Sequence, residues 1–458
     1  MVNGLSAKRF PSRNCTSFIL FVVAQFIARS SRVDPMKNST FITRVVLKNY
    51  KSIAACDVQL GPLTFLVGRN GSGKSNFLDA LRFVADALNL SLDHAIRDRG
   101  GINDVRRRSR GHPNHFSIRL EFALPEGSTG YYAFRIASRP LGNGHDRVRG
   151  GYRVQTEECR IQNEKRLTPE QYFRIDDGAV DTSVNVAPAA ASDRLYLVNA
   201  SGLPEFRPVY DAFSRMGFYN LNPDIIRDLQ APDPRDVLLR DGSNLTSVLT
   251  QLSPIVRTDI EEYLSAVVPG VHAVGVKDFG TRETLEFRQS VTGDKNPWRF
   301  RANNMSDGTL RVLGILVALF QGDQDAQKRV PLVGIEEPEI ALHPAAAGVL
   351  LDGLRDAAYR KQVIVTSHSP DLLEDKHLDV ESILAVEAQD GNTAIAPVDE
   401  VGRSVVRDKL FTIGELLRVD QLQPDAASVV SAEKAKQLRL FDFERRNSGK
   451  TKNKERRG

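Results

Sequence analysis

The chain has 458 residues, 41% of them hydrophobic and 26% charged, with a formal net charge of +5. Those proportions belong to a folded protein with room for a large core, and exclude a disordered or fibrous chain. Ten Lys/Arg against four Asp/Glu in 433–458, and five against one in 1–35, leave 36–432 at −5, so the body has no overall positive charge to draw it to nucleic acid.

Cys15, Cys56 and Cys159 are widely spaced and odd in number. They make neither a disulfide framework nor a C-x-x-C metal pair, and point to a reducing compartment, the cytoplasm. Lys8, Arg9 and Arg13 precede an apolar run from Phe18 to Ala28 that is too short to span a bilayer comfortably. Met36 leads directly into the first strand. Residues 1–35 are therefore expected to be an upstream extension without structure, from a misassigned start, and no membrane partner is expected.

Alternation at Phe41, Val45 and Leu47, a turn at Lys48-Asn49-Tyr50-Lys51-Ser52, and runs at Val58 to Leu60 and Leu63 to Val67 predict a hairpin and a further strand. Next comes Gly68-Arg69-Asn70-Gly71-Ser72-Gly73-Lys74-Ser75, followed by Phe77, Leu78, Leu81, Val84 and Leu88 at helical spacing. A G-x-x-x-x-G-K-[ST] loop between strand and helix is a phosphate cradle. Its glycines let backbone N–H groups close round phosphates, and the helix N-terminus adds the positive end of its dipole. Lys74 can reach the β and γ phosphates, and Ser75 can take a place on Mg2+. The alternative is a glycine-rich turn that binds nothing.

Arg97 to Arg110 is basic and glycine-punctuated, with Arg99, Arg106, Arg107 and Arg108 readable as a solvated loop or as phosphate contacts. From 115 to 200, apolar alternation at Phe116 to Phe122, Tyr132 to Ile136, Tyr152-Val154, Phe173-Ile175 and Leu195-Leu197 predicts antiparallel strands. The spacing turns helical between Val209 and Val268, without the heptads of a long coiled coil. Strands return near Val271 to Val276, Thr284 to Arg288 and Trp298 to Ala302.

Asn303 to Arg311 opens an apolar helix. Ser306 is placed to be its N-cap, and the same geometry offers N–H groups to an anion. The strand Pro331 to Ile335 ends in Glu336-Glu337, as a magnesium nucleotide site requires: one acid for the hydrated ion, the next for the attacking water. A second apolar strand, Gln362 to Val365, ends in Thr366-Ser367-His368-Ser369-Pro370, where α/β sheets place ligands.

Gly73-Lys74-Ser75-Asn76, Glu336-Glu337-Pro338-Glu339-x-x-Leu342-His343-Pro344 and Thr366 to Pro370, in that order, resemble the ABC-type ATPases of the SMC/RecF/OLD group, and most closely the stand-alone chains labelled AAA family ATPase. The resemblance covers roughly 40–420. It implies an α/β phosphate-loop NTPase with an ABC/SMC-head-like mixed sheet. The core would comprise 36–111 and 301–424, with 112–300 an inserted antiparallel β and helical lobe and 425–458 a basic disordered tail. It also implies ATP and Mg2+ as ligands. Asn70, Gly71, Ser72, Gly73, Lys74, Ser75 and Asn76 would wrap ATP, with Ser75 and Glu336 on the metal. Glu337 would be the catalytic base and His368 the γ-phosphate sensor. Ser306, Asp307 and Gly308 would form the signature, acting in trans in an ATP-dependent homodimer. Lys51 and Ser52 stand where relatives touch nucleotide from the first hairpin. Met305-Ser306-Asp307-Gly308-Thr309 replaces the usual Leu-Ser-Gly-Gly signature, and no Q-loop glutamine stands out.

The expectation is an ATP-hydrolysing enzyme of DNA repair or defence against foreign DNA, with a separate effector. The 85 residues after Leu373 hold no D-x-D pair, so the Toprim nuclease domain of OLD nucleases is not expected. A nucleotide-dependent switch acting on a protein partner without DNA is the alternative. A transporter subunit would need a shorter segment between phosphate loop and signature.

Overall fold

Strand β1 (Ile42–Tyr50) turns through Lys51 and Ser52 into β2 (Ile53–Gln59), and β3 (Leu63–Val67) follows and runs into the phosphate loop. The computed structural model describes residues 41–109, 113–139, 151–163, 169–294, 296–322, 329–434 and 440–441. The extension expected at 1–35 lies outside them. After the loop, helix Lys74–Asn89 buries Phe77, Leu78, Leu81, Val84 and Leu88, the stripe its spacing requires.

Beyond it, β4 (His115–Ala123), β5 (Thr129–Ser138), β6 (Tyr152–Gln162), β7 (Gln171–Asp176) and β8 (Ala179–Thr182) join the first hairpin. The result is one antiparallel sheet in the order β2-β1-β4-β5-β6-β7-β8. Its inner face carries Val45, Leu47, Ile118, Leu120, Tyr132 and Phe134, all fully buried in the main core. Phe83 of the phosphate-loop helix meets Phe116 of β4 edge to face, with ring centres 5.4 Å apart. Because β4 pairs with β1, with Leu47 opposite Ile118, the expected division at 111/112 is bridged by strand pairing. Alternation shows that a strand is half buried but not which strand it joins.

β9 (Gly217–Tyr219) is a three-residue strand that the sequence reading did not find. β10 (Val271–Phe279), β11 (Arg282–Gln289) and β12 (Trp298–Arg301) form a small antiparallel sheet. It leads through a short turn into helix Asp307–Phe320. β13 (Leu332–Glu336), helix Ala347–Ala358, β14 (Gln362–Ser367), β15 (Ile383–Gln389) and β16 (Asn392–Pro397) complete the chain's second large sheet, ordered β16-β15-β3-β14-β13-β9. Within it β15, β3, β14, β13 and β9 run parallel, so the loops leaving β3, β13 and β14 emerge at one edge.

Three local readings are corrected. Leu195-Leu197 starts helix Tyr196–Ala200, because the buried Glu157 carboxylate accepts from Tyr196 N at 2.6 Å and Leu197 N at 2.8 Å. The tail expected from 425 begins as helix Ala426–Lys434, with Asp425 accepting from Ser428 N at 2.9 Å, and Leu440 and Phe441 are buried. Its remaining residues from 442 lie outside the described ones. Arg99 is neither solvated nor open to phosphate: its side chain is 1% exposed and bonds Asp79 and Asp86. Among the described residues no helix is long and apolar enough to cross a membrane.

Candidate nucleotide site

The loop after β3 turns through Gly71 at φ 78° and Gly73 at φ 104°, conformations that glycine adopts without strain. Gly73 is also fixed by crowding, since a Cβ there would sit 2.1 Å from Thr393 Oγ1 of β16. Asn70 and Gly71 are exposed at the loop's tip, and Ser72 is buried with its hydroxyl unpartnered. Lys74 begins the helix and folds back, Nζ donating to Gly68 O at 2.7 Å and Arg69 O at 3.0 Å. Burial lowers its pKa, while Glu337 and Glu339 oppose that shift.

Ser75, Asn76, Lys51, Asp79, Arg82, Phe218, Arg240 and Glu336 line a cleft of about 140 Å³. Lys51, held at φ 46°, pairs with Asp79 at 2.6 Å. Burial pushes the Asp79 carboxyl up, but Arg99, Lys51 and Arg82 together hold it below the usual carboxylate range. Asn76 Nδ2 donates to Ser52 Oγ, tying the helix to the first hairpin. Glu336, at the end of β13, accepts from Arg240 Nη2 at 2.7 Å.

Glu337 sits just past the strand at φ 45°, a left-handed conformation uncommon for a residue with a Cβ. Its N–H donates to Thr366 O at 2.9 Å, and its Oε1 lies 3.2 Å from His368 Nδ1. Glu339, one more turn along, accepts from Ser367 Oγ at 2.7 Å and His368 N at 3.2 Å. The acid strand and the histidine strand are thereby laced together beyond their ladder. Buried Arg311 braces the same corner from helix Asp307–Phe320, donating to Glu336 O, Glu337 O and Leu221 O.

Ser306 caps helix Asp307–Phe320, accepting from Thr309 N at 3.3 Å. Asp307 is exposed and paired with Arg227. Gly308 is required by the close approach of Ala341, whose carbonyl oxygen would lie 2.4 Å from a Cβ. The structure thus brings Lys51, Ser75, Asn76 and Glu336 to one cleft and Glu337 and His368 into contact. Ser306 and Asp307 make their own bonds to Thr309 and Arg227.

Sequence reasoning missed Arg240, Thr393, Asp79 and Glu339. Asp79 was in view, four residues after Ser75 on the same helical face, and Glu339 lay inside the acid motif. Arg240 and Thr393 had no local signal.

The residues fit a magnesium nucleotide: an orphaned buried hydroxyl at Ser72, a glycine cradle, a lysine satisfied only by its own loop, and a serine and carboxylate on one cleft. Fold and site define a phosphate-loop protein built to hold a magnesium nucleotide. The chain belongs to the family described as "AAA domain, putative AbiEii toxin, Type IV TA system", whose profile matches residues 63–374.

An OLD nuclease of Thermus scotoductus is 23% identical over 348 residues, which make up 72% of this chain and 59% of the relative. The DNA double-strand break repair Rad50 ATPase of Halobacterium salinarum is 28% identical over 240 residues, 46% of this chain and 25% of the relative. The chain therefore spans less than two thirds of either. Among solved structures, an SMC head bound to the C-winged helix domain of ScpA aligns over 78% of this chain and 97% of that one, at 15% identity and a TM-score of 0.46. The SMC head domain from Thermotoga maritima aligns at 15% identity and a TM-score of 0.41, over 78% and 99% of the two chains.

Proposed function

We propose that the chain binds ATP with Mg2+ and hydrolyses it to ADP and phosphate, in the cytoplasm. The contact between Glu337 and His368 carries this reading, because it puts a base and a proton-bearing ring together at the strand ends beside Lys74. Gly71 to Lys74 and the Lys74 ammonium would hold the phosphates, and Ser75 and Glu336 would hold Mg2+. That ion, when bound, neutralises phosphate charge. To bind, Lys74 would exchange Gly68 O and Arg69 O for phosphate oxygens, and Glu336 would leave Arg240 to hold the ion. Glu337 then takes a proton from the attacking water, and His368 donates toward the γ-phosphate.

Ser306, Asp307 and Gly308, on an exposed helix start, would complete the site of a second copy, so that ATP holds a homodimer together. The name of the Rad50 relative, a DNA double-strand break repair ATPase, supports a role in DNA repair, and defence against foreign DNA with a separate effector is proposed beside it. The acidic body, −5 over 36–432, favours a second reading, a nucleotide-dependent switch acting on a protein partner without DNA.

The test is steady-state ATP turnover of the full chain with and without duplex and single-stranded DNA. Lys74→Ala serves as the blank, and Glu337→Gln as the variant that should dimerise on ATP and turn over at least about a hundredfold slower. Turnover equal to the blank refutes hydrolysis. Turnover indifferent to DNA refutes the DNA reading and leaves the switch.

A further inference from the structure

Strand alternation sends one set of residues of the antiparallel sheet inward and the other outward. The outward set is largely charged, with Arg44, Arg119, Glu121 and Arg160 among it. At one place, however, Val46 of β1 and Tyr131 and Ala133 of β5 form an apolar floor, with Ala55 of β2 at its rim. Leu440 and Phe441 lie on that floor, 1% and 2% exposed. The Arg119 guanidinium lies 3.6 Å from the centre of the Tyr131 ring and donates to the Leu440 carbonyl at 3.3 Å. Arg135 stands 5.1 Å from the centre of the Phe441 ring. The place offers three separate grips: an apolar floor, a charged donor to a backbone carbonyl, and a cation over an aromatic ring.

We propose that this is a docking pocket for an adjacent Leu-Phe pair, and that its occupant is the chain's own Leu440-Phe441. Burial supports the match, since Leu440 and Phe441 are seated there and Arg119, between Val46 and Ala133 across the strands, gives its guanidinium to the Leu440 carbonyl. Helix Ala426–Lys434 packs on β2 and β16, so the segment needs only a short span to arrive. Such a tether gives the pair an effective concentration in the millimolar range, which keeps free segments of the same chemistry out. The proposal is independent of ATP hydrolysis.

A fluorescent peptide of residues 437–446 is titrated against the full chain and against the full chain carrying Leu440→Ala and Phe441→Ala. The vacated variant binds it at least about tenfold tighter than wild type. Adding Arg135→Glu to the variant removes that gain, and a peptide with both apolar residues replaced by alanine fails to bind. Equal affinity for the two proteins, or none for either, overturns the proposal. Because the variant could lose its fold, wild type supplies a second measurement. A millimolar protease-resistant analogue of the peptide displaces the segment, and chymotrypsin then cuts the chain after Leu440 and Phe441, which docking buries, faster than without it. An unchanged cleavage rate overturns the proposal as well.

Discussion

Replacing Thr393 by valine keeps the shape of the side chain and removes one hydroxyl. That hydroxyl donates to Ser72 O at 2.9 Å and meets Ser52 Oγ at 2.7 Å, while Ser52 Oγ accepts from Asn76 Nδ2 at 2.7 Å. With the Thr393 proton directed at Ser72, Ser52 has to be the donor to Thr393. The groups therefore make one directed run from the helix, through the first hairpin and β16, to the phosphate loop. Valine breaks it in the middle. Two lost bonds at about 1 kcal/mol each, plus part of the cost of an unsatisfied buried carbonyl at Ser72, sum to about 2–3 kcal/mol. If ATP must reorder the loop, the same energy weakens nucleotide binding by about thirtyfold or more. Titration with a fluorescent ATP analogue and urea unfolding read the two effects, and Thr393→Ser, which keeps the hydroxyl, should remain near wild type. Analogue affinity within about twofold of wild type, in a variant that unfolds more easily, would refute the coupling between β16 and the loop.

Arg240→Met removes the competitor for Glu336. An ion pair with partners 45% and 19% exposed contributes about 0.5–1 kcal/mol, so half-saturating Mg2+ for binding of the ATP analogue should fall about two- to fivefold. A rise would mean that Arg240 helps to hold nucleotide instead. Burial holds the Glu157 carboxyl up at about 7 against its ordinary 4.5, despite donors from Tyr196 N, Leu197 N and Tyr132 OH. The folded chain therefore keeps this proton at pH values where the unfolded chain has lost it. Its contribution is complete below 4.5 and declines as pH rises through 7. By about pH 8 the loss is at most about 3 kcal/mol, so the melting temperature should fall between about pH 5 and 8, and Glu157→Gln should flatten that fall.

The parts of the site readable in the sequence are contiguous strings whose spacing is itself the chemistry. A glycine cradle ending in Lys74-Ser75 and an acid pair at a strand end can each be recognised without knowing their neighbours. Arg240 and Thr393 could not be, because their partners are 96 and 321 positions away and neither lies in a pattern. Glu339 stood in plain view, but its role depends on β13 lying beside β14, which no local signal reports. β9 is too short for alternation to register, and the apolar residues at Leu195 and Leu197 suit strand or helix equally until the buried Glu157 decides between them. Arg99 looked like part of a basic surface because charge in a sequence carries no depth.

The central strand of the parallel sheet also dictates an order of events during synthesis. Leu63 of β3 pairs with Val363 of β14, and Phe65 with Ile383 of β15, so β3 emerges from the ribosome about 300 residues before either neighbour exists. At about 5–20 residues per second this leaves Leu63 to Val67, an apolar segment with both edges unpaired, waiting for roughly 15 to 60 s. The antiparallel sheet meets no such delay, because β1, β2 and β4 to β8 pair within the first 182 residues. The nascent chain is thus a folded antiparallel sheet carrying an unfinished nucleotide loop, and its sticky edge closes only when the histidine strand arrives.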